Sequence, residues 1–221
     1  MTVRPPESPV RIVLADDEPL LRAGLRVVLE AEGSVRVVAE AADGRELLDA
    51  VRAHHPQVVL VDVQMPGMDG FSALRELSHQ PDPPPAAVLT TFDLDGYVSE
   101  ALRLGVQGFL LKDAEPAALI RAVLDLASGG AVLDPRITAR LLPRLVSGGG
   151  AERVQPSLDE LTLRERQVLS RIAAGQSNAA IGESLGLAEA TVKKYVSAVL
   201  AKLGAQNRVQ AALLAQGLGI G

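Results

Sequence analysis

Between residues 10 and 128, short apolar runs alternate with helix-length amphipathic segments, and this alternation limits the chain more than any other feature. The runs cover residues 10–15, 35–39, 58–61, 86–89 and 108–111, and they are almost continuously apolar. A strand with one wet face alternates apolar and polar residues. An unbroken apolar run needs both faces covered, as in a parallel sheet layered between helices. The intervening segments 19–32, 44–54, 70–77, 95–104 and 116–127 carry helical periodicity. Five strands alternating with five helices predict a doubly wound α/β domain around a five-stranded parallel sheet.

After Ser128 the texture changes. Asp134-Pro135 reads as an N-cap followed by proline at the first helical position, opening a short helix toward Val146 that Pro143 kinks or ends. Ser147-Gly148-Gly149-Gly150 and the residues up to Pro156 read as a flexible linker. Residues 158–221 are helical and tightly punctuated. Thr162-Leu163-Arg164-Glu165 is a capping box opening a helix to Ala174, and Ser177 caps a second helix ending near Leu185. A third runs from about Ala188 to Leu203, and Asn207 caps a fourth ending near Gly217. Gly175, Gly186 and Gly204 follow the first three as left-handed stops. Four short helices with a brief break between the second and third form a helix-turn-helix pattern. The predicted organisation is therefore an α/β domain over 1–130, a linker with a short helix over 131–157, and a small all-α domain over 158–221.

Polar residues in the α/β part gather at the carboxyl ends of the predicted strands: Asp16 and Asp17 follow the first, Asp62 ends the third, Thr90 the fourth and Lys112 the fifth. Open α/β sheets bind their ligands at that edge. Three clustered carboxylates repel one another unless a cation neutralises them. With no His or Cys nearby, a hard, oxygen-preferring ion such as Mg²⁺ is the natural occupant. An Asp carboxylate beside such an ion can attack phosphorus and form an aspartyl-phosphate, with Lys112 and Thr90 placed to stabilise the new charge.

Asp16-Asp17, Asp62 within Val-Asp-Val-Gln-Met-Pro-Gly-Met-Asp-Gly, Thr90-Thr91 and Leu110-Leu111-Lys112-Asp113 resemble the receiver domain of two-component response regulators. The resemblance spans residues 9–128 and implies a flavodoxin-like fold. It makes Asp62 the phosphoacceptor and Asp17 a direct Mg²⁺ ligand, with Asp16 beside it and the backbone carbonyl of Gln64 completing the site. It also gives Thr90 and Phe109 the place of the switch residues. Phe92, two residues after Thr90, flanks the pocket and suggests slow self-hydrolysis.

The C-terminal part resembles the LuxR-type DNA-binding domain of the NarL/FixJ subfamily. The resemblance is carried by Leu161-Thr162-Leu163-Arg164-Glu165-Arg166, Gly175-Gln176-Ser177-Asn178-Ala179-Ala180-Ile181, Thr191-Val192-Lys193 and Leu200-Ala201-Lys202-Leu203-Gly204. In the third helix Val192, Val196, Val199, Leu200 and Leu203 recur at three- and four-residue spacings and predict a buried face. Lys193, Lys194 and Ser197 lie on another face near its N-terminal part, where recognition helices meet base edges. Thr191 and Lys202 are expected at phosphates, which position the protein without specifying sequence. The chain departs from the family at Ala188, where Ser or Thr usually caps this helix. It departs again at Tyr195, where His is common, and at Ser197, often a basic residue.

Together the two resemblances imply a DNA-binding response regulator, not an enzyme. Its partners are a sensor histidine kinase that phosphorylates Asp62, double-stranded promoter DNA, and a second copy of the chain on phosphorylation. Alternatives are a phosphorylation-independent DNA-binding regulator and an aspartate-based phosphohydrolase. The three histidines, His54, His55 and His79, are poorly placed for the latter. Zero Cys excludes a disulfide framework and a thiolate site. No apolar run approaches the roughly 18 residues of a membrane span, and residues 1–9 lack a signal-peptide core. A cytoplasmic protein is expected. Taken alone, the net charge of −5 argues against DNA, but it is divided: residues 1–130 carry 11 basic and 20 acidic groups, residues 131–221 carry 11 and 7. Only four of the basic residues are Lys: Lys112 in the acidic cluster, and Lys193, Lys194 and Lys202 on the third helix of the all-α part.

Overall fold

The computed structural model describes residues 8–90, 98–133, 136–137, 160–205 and 207–220. Most of the helix expected toward Val146, the glycine linker and Phe92 lie outside the described residues. The chain divides into two compact units, Met1–Ala127 and Ser128–Gly221.

The first unit alternates as the hydropathy pattern predicts. β1 (Val10–Ala15), α1 (Pro19–Glu30), β2 (Val35–Ala41), α2 (Gly44–His54), β3 (Val58–Asp62), α3 (Gly70–Ser78), β4 (Ala86–Thr90), α4 (Val98–Arg103), β5 (Gly108–Leu111) and α5 (Pro116–Ala127) follow one another. The five strands are parallel, in the order β2-β1-β3-β4-β5. β3, β4 and β5 are buried along their whole length, which is why their sequences show no polar alternation. A further two-residue strand, β6 (Val132–Leu133), follows in the second unit. Two residues are too few to carry a period. Side-chain caps also fall where the sequence supplies them, Asp43 accepting from the Glu46 amide and Asp69 from the Ser72 amide. At Gly70 a side chain is barred by close packing. A Cβ there would lie 2.1 Å from the Asp62 carbonyl oxygen.

The order reverses between β1 and β3: the chain winds from β1 outward to β2, then returns past β1 to β3 and continues the other way. A crevice opens at such a switch point beyond the carboxyl ends of the strands. Asp16, Asp17 and Asp62 all stand there.

The second unit contains α6 (Leu163–Ala173), α7 (Asn178–Leu185), α8 (Glu189–Leu203) and α9 (Arg208–Gly217). Their starts are set by Thr162, Ser177 and Asn207, each accepting a bond from an amide three residues on. α8 begins at Ala188 with no side-chain cap, as the departure from the family pattern implies. The α7–α8 turn is tight: a Cβ on Gly182 would lie 2.6 Å from the Leu187 carbonyl oxygen. The core of the unit joins Val168, Leu169 and Ile172 of α6, Ile181 of α7, Val192, Val199 and Leu203 of α8, and Ala211, Ala212 and Ala215 of α9. Arg208 is 6% exposed and has no carboxylate partner among the described residues. It donates to Asn178 Oδ1 at 2.6 Å, to the Gly129 carbonyl at 3.3 Å and to the Gln176 carbonyl, and burial pushes its pKa down to about 10.

Candidate functional site

The strand ends bring three carboxylates together. Ligand oxygens of Asp16, Asp17 and Asp62 lie within 4.8 Å of one another. Asp16 is inaccessible and Asp62 6% exposed, while Asp17 is half-buried. Lys112, just beyond β5, reaches into the group, with Nζ 2.8 Å from Asp62 Oδ2 and 2.9 Å from Asp16 Oδ2. Glu18 lies farther off, at 3.8 Å, on an exposed side chain. Burial acts to lower the Lys112 pKa, but the hydrogen bonds and charges of Asp62 and Asp16 outweigh it, so the ammonium titrates above its ordinary value.

Backbone contacts hold the remaining parts. The Gln64 amide donates to Asp62 Oδ1 at 3.2 Å, and the Glu18 amide to Asp16 Oδ1 at 2.9 Å. Thr90, 7% exposed at the end of β4, is joined to the Lys112 segment by the Lys112 amide, which donates to the Thr90 carbonyl at 2.9 Å. Phe109 is inaccessible, in register with Val88 of β4. Asp16, Asp17, Asp62 and Lys112 thus form one cluster, with Thr90 tied to it through the backbone and Phe109 deeper in the same sheet.

One ammonium cannot neutralise three carboxylates. The donor set is all oxygen, it keeps surplus negative charge, and it opens at a crevice. Those properties suit a hard divalent cation.

In the second unit α8 presents two faces. Val192 and Val199 are inaccessible and Leu203 nearly so, with Val196 and Leu200 packed against the same core. On the other side Lys193, Lys194 and Ser197 are exposed and Thr191 is half-buried. Lys193 pairs with Glu189 at 3.1 Å across one helical turn, a solvated contact that leaves its ammonium available to a stronger anion. Ser197 Oγ donates to the Lys193 carbonyl at 3.1 Å.

Lys202, expected at a phosphate, lies against a carboxylate of its own chain. Its Nζ lies 2.7 and 2.8 Å from the two Glu165 carboxylate oxygens and 3.2 Å from the Glu160 carbonyl. Glu165, the fourth residue of the capping box, also accepts from the Thr162 amide at 2.7 Å. The Lys202 bond and then the Thr162 bonds hold the Glu165 carboxyl down to about 2. Sequence reasoning found the capping box but not the lysine on it, because that partner comes from α8 and no local pattern joins the two. The apolar residues Val209, Ala212 and Leu213 of α9 are buried within the chain.

An aspartate cluster able to hold a metal at the switch point of a parallel sheet, followed along the chain by a helix-turn-helix unit, defines a receiver joined to a DNA reader. Comparison with known proteins agrees. Residues 12–124 match the family described as response regulator receiver domain, and residues 159–215 that of bacterial regulatory proteins, luxR family. The chain is 40% identical over 207 residues to a probable transcriptional regulatory protein NarL of Mycobacterium tuberculosis, covering 94% of each. It is 38% identical to the DNA-binding transcriptional activator DevR/DosR of the same species, covering 93% of this chain and 94% of that one. Among solved structures, the response regulator ChrA of a heme-sensing two-component system aligns with TM-score 0.54 at 35% identity, over 96% of this chain and 99% of that chain. The chain belongs to the LuxR-type response regulators and is a DNA-binding response regulator.

Proposed function

We propose that this regulator is switched by phosphoryl transfer from a sensor histidine kinase to Asp62. In this reading residues 1–130 are the receiver, 131–157 the linker and 158–221 the DNA-binding domain. The observation that carries it is the Lys112 ammonium bridging Asp62 and Asp16 inside a cluster that still holds excess negative charge. Asp16, Asp17 and Asp62, with the backbone carbonyl of Gln64, would hold Mg²⁺, which would supply neutralisation of charge on the transferring phosphoryl oxygens.

The residues of the chain do the rest. An Asp62 carboxylate oxygen forms the new O–P bond as the P–N bond of the donor phosphohistidine breaks, and the electron pair of that bond leaves on the imidazole nitrogen. Lys112 is already within hydrogen-bonding distance of the accepting carboxylate and neutralises the added charge. The Thr90 hydroxyl hydrogen-bonds a phosphoryl oxygen, and the buried Phe109 repacks as Thr90 moves. This local charge event biases a two-state element and favours pairing of two chains. Lys193, Lys194, Ser197 and Thr191 then meet double-stranded promoter DNA, with two recognition helices about one helical turn apart. The chain works in the cytoplasm and is a regulator, with no separate substrate to turn over. Among the described residues, no helix is long and apolar enough to cross a membrane.

The test is a Mg²⁺-dependent mass gain of one phosphoryl group on incubation with a small phosphodonor, accompanied by dimerisation and tighter DNA binding. Asp62→Asn should show none of the three. A wild-type chain that takes up no phosphoryl group, or whose DNA binding ignores it, overturns the reading. Sustained turnover of a phosphate ester would make it an enzyme instead.

A further inference from the structure

The carboxylate of Asp16 is held from the pocket side, but its backbone is held from outside. The Asp16 amide donates to the Ala41 carbonyl at 3.0 Å, which ties the loop to β2. The Asp16 carbonyl is taken by the Arg22 guanidinium, reaching back from α1. Arg22 is itself fixed, with Nε 3.0 Å from Glu40 Oε2 and a side chain only 15% exposed. Glu40 lies on β2 in register with Leu14, one residue short of the Asp16 loop's own anchor at Ala41. Its other oxygen accepts from Arg26 Nη1 at 2.9 Å. Arg26 in turn reaches Glu30 at 3.3 Å, and Glu30 accepts from the Val37 amide at 2.9 Å. A line of ion pairs therefore runs over α1 and β2 and ends on one backbone carbonyl.

That carbonyl belongs to the peptide unit joining Asp16 to Asp17. Because a peptide unit is planar, fixing its oxygen also fixes the direction of the Asp17 amide and Cα. A guanidinium bonded through two different nitrogens cannot turn freely, whereas a lysine ammonium in its place could. Arg22 therefore orients the loop that presents two of the three carboxylates, without touching either carboxylate.

We infer that Arg22, clamped by Glu40, is a positioning residue for the divalent-cation site. The inference rests on the reading of Asp16, Asp17 and Asp62 as that site. Residues one step removed from metal ligands set affinity by orienting the ligands, and their loss typically weakens metal binding about 10–100-fold.

The test is calorimetric titration of the full-length chain with Mg²⁺. Arg22→Ala should weaken binding by about tenfold. Arg22→Lys, which keeps the charge but not the fork, should stay well short of wild-type affinity. Arg26→Ala removes the same unit charge from the same network yet leaves the Arg22 contact intact, so its affinity should remain within about twofold of wild type. In the metal-free chain the Asp17 amide resonance should move in Arg22→Ala and stay in place in Arg26→Ala. Arg22→Ala binding like wild type overturns the proposal, as does Arg26→Ala weakening binding equally. In either case Asp17→Asn losing Mg²⁺ would leave the pocket reading standing. A wild-type chain that binds no Mg²⁺ overturns both.

Discussion

Each unit holds a lysine whose ammonium meets a buried carboxylate, and the two pairs do different things. Lys112 lies 2.8 Å from Asp62 and 2.9 Å from Asp16, with Asp17 beside them. Lys202 lies 2.7 Å from Glu165, which also accepts from the Thr162 amide. The first lysine is outnumbered, so its cluster retains negative charge and the capacity to bind a cation. The second is matched one to one, and its partner has finished its work as a helix cap. Distance alone does not separate a reactive site from a structural stitch; the charge left over after pairing does.

Removing a carboxylate should therefore have opposite consequences in the two places, and this is the largest expected contrast. Asp17→Asn should abolish measurable Mg²⁺ binding while raising stability by roughly 1 kcal/mol, because it relieves repulsion in a site built for function. Glu165→Gln should lower the melting temperature of the helical unit. If both variants destabilise alike, the distinction between surplus and matched charge is wrong.

The lysines themselves give the next test. Lys193→Ala and Lys194→Ala should each weaken DNA binding and reduce the slope of log affinity against log salt by about 1. Lys202→Ala should leave that slope unchanged. A slope reduced equally by Lys202→Ala would return it to the phosphate contacts.

Acid sharpens the comparison further. The folded Glu165 carboxyl titrates at about 2, below its ordinary 4.5, so the stability it contributes is complete above about pH 4.5 and is lost as pH falls toward 2. In Lys202→Met the Glu165 carboxyl should titrate closer to its ordinary range, read from its side-chain carbonyl chemical shift across an acid series. The smallest effect concerns the uncapped start of α8. Ala188→Ser should add about 0.5–1 kcal/mol to the unfolding free energy of the helical unit in a urea titration, by supplying the missing acceptor.

Much of this was legible before any coordinates. Unbroken apolar runs foretold strands covered on both faces, and β1 and β5 begin and end where the runs do. Thr162, Ser177 and Asn207 announced three helix starts because a cap acts over three residues, well inside a readable window. The strand-end positions of Asp16, Asp17, Asp62, Thr90 and Lys112 pointed to one edge because parallel strands all end on the same side. β6 escaped because two residues have no period.

What sequence determined by itself, then, was the alternation, the caps and the side of the sheet on which chemistry collects, since each follows from the spacing of residues within one element. The tertiary structure decided the partners. Lys202 could be paired with Glu165, Arg22 with the Asp16 carbonyl, and Arg208 with a buried set of carbonyls and an amide only once distant segments were folded together. A charged side chain at the end of several rotatable bonds takes its role from whichever groups the fold brings within reach, and local sequence does not encode that choice.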